Sequence, residues 1–166
     1  MRTSNVLTSL VLLVAPSIVG CGTDDSSGGL DREHVTNLPE GSGTGTAATG
    51  TYVAEIRTIA CSGTCPSNTC REGNSASGSF DVVQRGGYFS MTAPGVILEG
   101  GIETDGAFQI GGWTTAQGGA MEQAFLSEGT YTGSGFTGSI DGRRYGSYEG
   151  LSIDCIETGV ITATRR

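Results

Sequence analysis

The sequence predicts an all-β fold for residues 51–166, an antiparallel up-and-down meander of about eight or nine strands closed into a small barrel. Three observations support it. No stretch of this region keeps a helical period of apolar residues, short segments alternate apolar and polar residues instead, and Gly, Asp and Asn separate those segments. A β-sandwich is the alternative architecture, because it uses strands of the same kind.

Nine segments have the composition of strands and are bounded by turn-forming residues. They are residues 51–60, 79–85, 88–93, 96–103, 107–113, 121–132, 136–140, 147–156 and 160–164. In the first, Tyr52, Ala54 and Ile56 fall on one face, while Glu55 and Arg57 fall on the other. One apolar face and one polar face are typical of an antiparallel sheet with one side in water.

Short turn sequences connect these segments. An Asp-Gly pair at 105–106 is a strong hairpin signal, and the sequences at 85–87, 141–142 and 157–159 are read as further turns. Consecutive hairpins make a meander, and a meander of this length hides its two edge strands by closing. Gly100, Gly101 and Gly138 lie inside strands, where we expect sharp coiling.

The pattern of the whole domain resembles the lipocalin-like group of up-and-down barrels. That resemblance implies a barrel with room for a small apolar ligand inside it. The short Gly-x-Trp motif that opens many lipocalins is absent, since Trp113 directly follows Gly112 well inside the domain.

The first twenty residues are typical of a secretory signal. The stretch 6–19 is mostly apolar and uncharged, and it is too short to span a bilayer, which needs roughly 20 residues. The run from Ile18 to Cys21, at the end of this signal, resembles the lipobox of bacterial lipoproteins. The resemblance implies that the signal is cleaved before Cys21 and that acyl chains are attached to the Cys21 sulfur and amino terminus. It also implies location in the outer membrane, because Cys21 is followed by Gly22 and not by the Asp that tends to retain lipoproteins in the inner membrane. An ordinary secretory signal is the alternative.

Residues 22–50 are rich in Gly, Ser, Thr and Asp and contain few large apolar residues, namely Leu30, Val35 and Leu38. Such a segment buries too little surface to offset its ordering entropy, so it is predicted to be a flexible linker with a reach of roughly 30 Å. The predicted organisation is therefore a signal peptide at 1–20, a lipidated Cys21 with its linker at 21–50, and a barrel-like domain at 51–166.

The chain has five cysteines, and lipidation of Cys21 leaves an even set of Cys61, Cys65, Cys70 and Cys155. Disulfides are favoured over a zinc site, because the spacing is looser than in familiar zinc motifs and export leads to an oxidising compartment. Cys61 ends the first predicted segment and Cys155 lies in the next-to-last one, and in a closed meander the two ends of the chain meet. Cys65 and Cys70 bracket a short polar loop. We therefore expect Cys61–Cys155 and Cys65–Cys70, with the other two pairings of these four cysteines as the alternatives.

Charge and residue usage exclude several functions. With 17 acidic residues against 9 basic ones, all Arg, and a net charge of −8, the chain is unsuited to bind nucleic acid. Its single His, His34, lies in the predicted linker, which argues against a Ser-His-Asp or Cys-His catalytic set. A two-carboxylate site is harder to exclude. We expect the acidic residues on or beside strands to lie on the face of the sheet that is in contact with water. They are Glu55, Asp81, Glu99, Glu103, Glu122 and Glu128.

Few other residues suggest chemistry. The pair Arg143-Arg144 is able to bind an anionic group, although exposed Arg pairs are usually plain surface. The aromatic residues that suit a binding surface are Trp113, Tyr131, Tyr145 and Tyr148. We expect a non-catalytic, membrane-anchored envelope lipoprotein, without cofactor or metal, whose β-domain binds an apolar small molecule or an envelope protein. A carboxylate-based hydrolase and a purely structural envelope protein are the alternatives.

Overall fold

The computed structural model describes residues 30–66 and 70–166. They form one short helix and eight strands, with a 3₁₀ turn at Gln117–Gly119. In chain order the elements are α1 (Arg32–Thr36), β1 (Gly50–Thr64), β2 (Ser75–Arg85), β3 (Tyr88–Ala93), β4 (Val96–Ile102), β5 (Ala107–Ala116), β6 (Met121–Tyr131), β7 (Gly135–Tyr148) and β8 (Leu151–Arg165). None of the helices in the described part of the chain is both long enough and apolar enough to cross a membrane.

The eight strands close into a barrel. Each pairs antiparallel with the next along the chain, and β1 pairs with β8 to complete the circle. The prediction of a small closed meander is confirmed, and the β-sandwich alternative is wrong. Closure pairs the first and last strands, which would otherwise be exposed edges.

Two predicted turns lie inside strands. The Asp-Gly sequence at 141–142 is in the middle of β7, and residues 157–159 are in the middle of β8, so nine predicted segments become eight strands. Gly142 is paired on both sides, with Phe125 of β6 and with Glu157 of β8. Because long neighbouring strands pair with the backbone on each side, the ladder outweighs the local turn preference.

One end of the barrel is filled by aromatic side chains. The ring of Phe136 lies 5.4 Å from that of Tyr52, 5.6 Å from Phe80 and 5.6 Å from Phe108. Phe108 in turn lies 5.1 Å from Phe89. Tyr52 belongs to the apolar face that the alternation of residues in the first segment predicts. We call this the closed end; β1 begins there and β8 finishes there.

Residues 44–49 cover the closed end from outside. Ala48 is fully buried, and its backbone N–H donates to Gln84 Oε1 at 2.9 Å. The Tyr52 hydroxyl donates to the Ala48 carbonyl at 2.8 Å, and Arg165 Nη2 donates to the Thr49 carbonyl at 3.1 Å. The segment that covers the interior at this end is therefore held in place by hydrogen bonds with the barrel.

Residues 30–43, which we call the strap, run along the outer wall of the barrel. Leu30 and Val35 are buried there against Ala124, with Trp113 beside them. The strap crosses β5 at Gly111, where an added Cβ would lie 2.4 Å from the Val35 carbonyl oxygen. Further along, backbone hydrogen bonds join residue 41 to residue 87 and residue 43 to residue 102.

The prediction of a flexible linker is therefore wrong for residues 30–50. The prediction used the average composition of the segment, which does not show that Leu30 and Val35 become buried. It also does not show that Gly111 in the barrel wall lets the strap approach closely. Residues 22–29, the predicted signal peptide and Cys21 lie outside the described residues.

The four described cysteines form two disulfides, but not in the predicted pairing. Cys61 is bonded to Cys70, and Cys65 is bonded to Cys155. The first and last strands are neighbours, as expected, but β1 runs on to Thr64 with an irregularity between Thr58 and Ala60. This register places Gly63 opposite Cys155, and the chain just beyond β1 brings Cys65 to a Cα–Cα distance of 4.6 Å from Cys155.

Candidate ligand-binding site

A cavity of about 350 Å³ opens at the other end of the barrel, which we call the open end. This volume is at the small side of the range of ligand pockets. Strands β1, β2, β6, β7 and β8 all contribute to its wall. The lining residues are Ile56, Thr58, Asn74, Ser75, Ala76, Phe125, Ile140, Gly142, Arg144, Glu157 and Gly159.

The floor of the cavity is apolar. Ile56 and Phe125 form it and pack against the buried core below, and Ile140 adjoins them. Two inward-facing glycines keep the space above them open. A Cβ at Gly142 would lie 3.3 Å from the Phe125 ring, and one at Gly159 would lie 3.4 Å from the side chains of Ile56 and Ile140. The cavity therefore exists because strand positions that would usually carry a core side chain carry none.

A pair of opposite charges lies at the rim of the cavity. Arg144 Nη2 is 3.1 Å from Glu157 Oε2, and their side chains are 27% and 26% exposed. The Thr58 hydroxyl donates to Glu157 Oε1 at 2.6 Å. Because these charges are only partly hydrated, their interactions with a ligand are stronger than those of a fully exposed pair.

Strand alternation separates the two arginines that the sequence places side by side. Arg144 faces the cavity, whereas Arg143 faces outward, where it donates to both carboxylate oxygens of Asp154 at 2.7 and 2.9 Å. The hydrogen bonds from Arg143 hold the pKa of Asp154 below its ordinary value. Only Arg144 is therefore placed to meet a molecule in the cavity.

On one side of the open end the barrel wall is shorter, because β3 and β4 are short strands. Strand β3 pairs with β2 only at residues 81–85, and β4 pairs with β5 only at residues 99–102 and 108–111. Residues 75–79 at the start of β2 are consequently exposed on both faces. This notch gives the cavity a lateral opening in addition to its mouth.

The described residues of the loop between β1 and β2, 65–66 and 70–74, are held beside the cavity. Its last residues are held by backbone hydrogen bonds, in which Thr58 N–H donates to the Asn74 carbonyl at 2.9 Å and Gly73 N–H donates to the Thr58 carbonyl at 2.9 Å. Its beginning is tied down by both disulfides, and Cys155 is buried beside Met121 and Ile153. Asn74, the lining residue that this loop contributes, is therefore held in place.

The acidic residues singled out by the sequence do not lie in the cavity. Most are exposed on the outer wall and bonded to neighbours on adjoining strands or in the strap. Asp81 accepts from Thr51, Glu99 from Tyr88, Glu103 from Ser42 and Glu128 from Gln109, while Glu55 is exposed on β1. Among the described residues, the one group of three side chains close enough to share a metal ion is Cys65, Cys70 and Cys155, whose sulfurs are in the two disulfides.

Two of the predicted binding aromatics share a carboxylate partner on β6, and one of them, Trp113, also packs against the strap. Trp113 Nε1 donates to Glu122 Oε2 at 3.0 Å, and the Tyr145 hydroxyl donates to the same oxygen at 2.7 Å. The Arg32 guanidinium lies 4.0 Å above the Trp113 ring. The hydrogen bonds from Tyr145 and Trp113 lower the pKa of Glu122. Burial and the bond to Glu122 raise the pKa of Tyr145.

The other two aromatic candidates are not part of the cavity wall. Tyr131 donates to the Ala47 carbonyl at 2.9 Å, at the closed end. The side chain of Tyr148 lies outside the described ones. A wider groove, of about 590 Å³, lies on the outer wall beside Trp113 and Ile97. It lacks a charged pair like that of the open end, since Glu99 is the one ionisable residue among its lining residues.

Sequence reasoning missed Thr58, Phe125 and Glu157 as site residues. Glu157 was assigned to a turn, and Thr58 and Phe125 look like ordinary strand residues. These residues could have been identified only from the register of the strands, because the register decides which inward-facing residues of β1, β6 and β8 lie near Arg144.

The arrangement is suited to holding a small molecule with an apolar part and a polar end. Comparison of the chain with protein families, with curated proteins and with solved structures found no match in any of the three.

Proposed function

We propose that this chain is an exported, lipid-anchored envelope protein whose barrel binds a small, largely apolar molecule at its open end. The observation that carries the proposal is the contrast between the two ends. The closed end is filled by aromatic rings and covered by residues 44–49. At the open end, within residues 30–66 and 70–166, the apolar floor borders a cavity whose rim carries the partly exposed charged pair.

The energetics favour a modest affinity. Removing apolar surface from water contributes roughly 25 cal/mol per Å², and the floor offers Ile56, Phe125 and Ile140 as partners. A ligand of about a dozen heavy atoms at roughly 0.5 kcal/mol per atom would bind with a dissociation constant of about tens of micromolar. Such a ligand enters through the mouth or the notch without unfolding the barrel.

The test uses N-phenyl-1-naphthylamine, a neutral probe whose fluorescence rises when it leaves water. We expect saturable binding to the full mature chain and its loss in Gly142→Leu, since the new side chain would occupy the space above Phe125. Thr137→Leu is the matched control, because it adds the same side chain to an exposed outward position of β7. Equal binding of the probe by both variants would refute the cavity as the binding site.

The anchoring part of the proposal rests on Cys21 and the run that precedes it. Since Cys61, Cys65, Cys70 and Cys155 are paired with one another, Cys21 is the fifth cysteine of the chain and has no partner among them. Mass spectrometry of the mature amino terminus should show acyl groups on Cys21. Cys21→Ser should move the protein from the detergent phase to the aqueous phase. An unmodified Cys21 thiol would contradict lipidation without affecting the ligand site.

A further inference from the structure

We infer that the ligand carries a zwitterionic head, as a free amino acid with an apolar side chain does; this inference rests on the proposed ligand site. The rim presents one cation and one anion in contact, Arg144 Nη2 and Glu157 Oε2 at 3.1 Å. The apolar floor formed by Ile56, Phe125 and Ile140 lies beside that pair. A head with both charges matches the rim, and an apolar side chain matches the floor.

The charges of the site argue against simpler heads. A plain anion would meet Glu157 and a protein of net charge −8, which repels it at long range. A plain cation would meet Arg144 at close range. A zwitterion places its carboxylate on the guanidinium, which binds carboxylates through a fork of N–H donors, and its ammonium on Glu157. Its own net charge is zero, so the overall field of the protein does not repel it as it repels an anion.

The spacing also fits. In an α-amino acid the ammonium nitrogen and the carboxylate carbon are joined through one carbon and lie about 2.5 Å apart. That separation is close to the contact distance of the rim pair, so both head groups reach their partners together. The Thr58 hydroxyl, at 2.6 Å from Glu157 Oε1, fixes the carboxylate that would receive the ammonium. The side chain of the ligand then points away from the rim, toward Phe125.

The test compares three probes of the same ring by calorimetry at low salt: L-phenylalanine, 3-phenylpropionate and 2-phenylethylamine. Each charged hydrogen bond that is lost should weaken binding about tenfold or more. We therefore expect phenylalanine to bind at least about tenfold more tightly than either analogue. Equal affinities of the three probes would overturn the inference.

Variants assign each half of the head. Arg144→Gln should weaken phenylalanine but not phenylethylamine, and Glu157→Gln should weaken phenylalanine but not phenylpropionate. Arg143→Gln is the matched control, because that arginine faces outward and pairs with Asp154, so it should leave all three affinities unchanged. If a variant fails to fold, the three-probe series on the native protein decides alone.

The outcomes separate this inference from the proposed function. Binding of N-phenyl-1-naphthylamine in the cavity without a preference for phenylalanine over its two analogues would overturn the zwitterion and leave the ligand site standing. Absence of binding by every probe would overturn both.

Discussion

Removal of each disulfide should destabilise the protein by an amount set by the loop that it closes. Cys65–Cys155 joins residues 90 apart, and Cys61–Cys70 joins residues 9 apart. In the chain-entropy treatment, the first bond restricts the unfolded chain by about 4.6 kcal/mol and the second by about 2.7 kcal/mol. We therefore expect the double variant Cys65→Ala/Cys155→Ala to lose about 2 kcal/mol more unfolding free energy than Cys61→Ala/Cys70→Ala.

Urea unfolding followed by fluorescence measures both variants against the native protein, and thiol counting shows whether the remaining pair stays oxidised. With the pairing described above, each double variant keeps one intact disulfide. If the bonds were instead Cys61–Cys155 and Cys65–Cys70, each double variant would break both. Two free thiols and equal losses of stability in both variants would refute the pairing and the register argument behind it.

Three further predictions concern the strap and the closed end. Because the pKa of Glu122 is lowered in the folded protein, its hydrogen bonds to Tyr145 and Trp113 stabilise the protein fully above pH 4.5. This stabilisation is lost as the pH falls through the lowered pKa. Trp113 fluorescence should therefore change in that pH range in the native protein but not in Glu122→Gln. Gly111→Ala should speed proteolysis of residues 30–43 while the barrel resists, and unchanged cleavage would count against the close approach. Arg165→Ala should cost about 1–3 kcal/mol of unfolding free energy in urea; no change would mean that the covering segment does not depend on it.

The barrel was predictable because its information is local and periodic. Alternation of apolar and polar residues identified the inward face of β1, where Tyr52 and Ala54 are both buried. Glycine-rich turns at 86–87 and 104–106 were also placed correctly. Closure followed from the need of a long meander to hide its edges.

Glycine was harder to interpret, because it serves different purposes in the same fold. At Gly100 and Gly138 an added Cβ would lie 2.2 and 2.0 Å from a carbonyl oxygen of a paired strand, so these positions need glycine for close approach. At Gly142 and Gly159 it creates the cavity. Gly142 follows Asp141, and this Asp-Gly pair has the sequence of a hairpin turn. It lies inside a strand because β7 pairs with a neighbouring strand on each side.

The disulfide pairing and the charged rim depend on register, which composition does not specify. The irregularity between Thr58 and Ala60 shifts the register by one residue, so that Gly63 faces Cys155 while Cys61 faces Glu157. The contact between Arg144 and Glu157 likewise joins two strands at positions that no local motif connects. A register change of one residue would turn these side chains to the other face of the sheet.

The most direct test of the central claim is methyl NMR of isoleucine-labelled protein during titration with N-phenyl-1-naphthylamine. Binding at the open end predicts that the methyl signals of Ile56 and Ile140 shift with one saturable affinity, while that of Ile161, buried in the packed core, stays in place. Shifts confined to Ile97 on the outer wall, or no shift of Ile56 and Ile140 at saturating probe, would contradict a ligand site inside the mouth of the barrel.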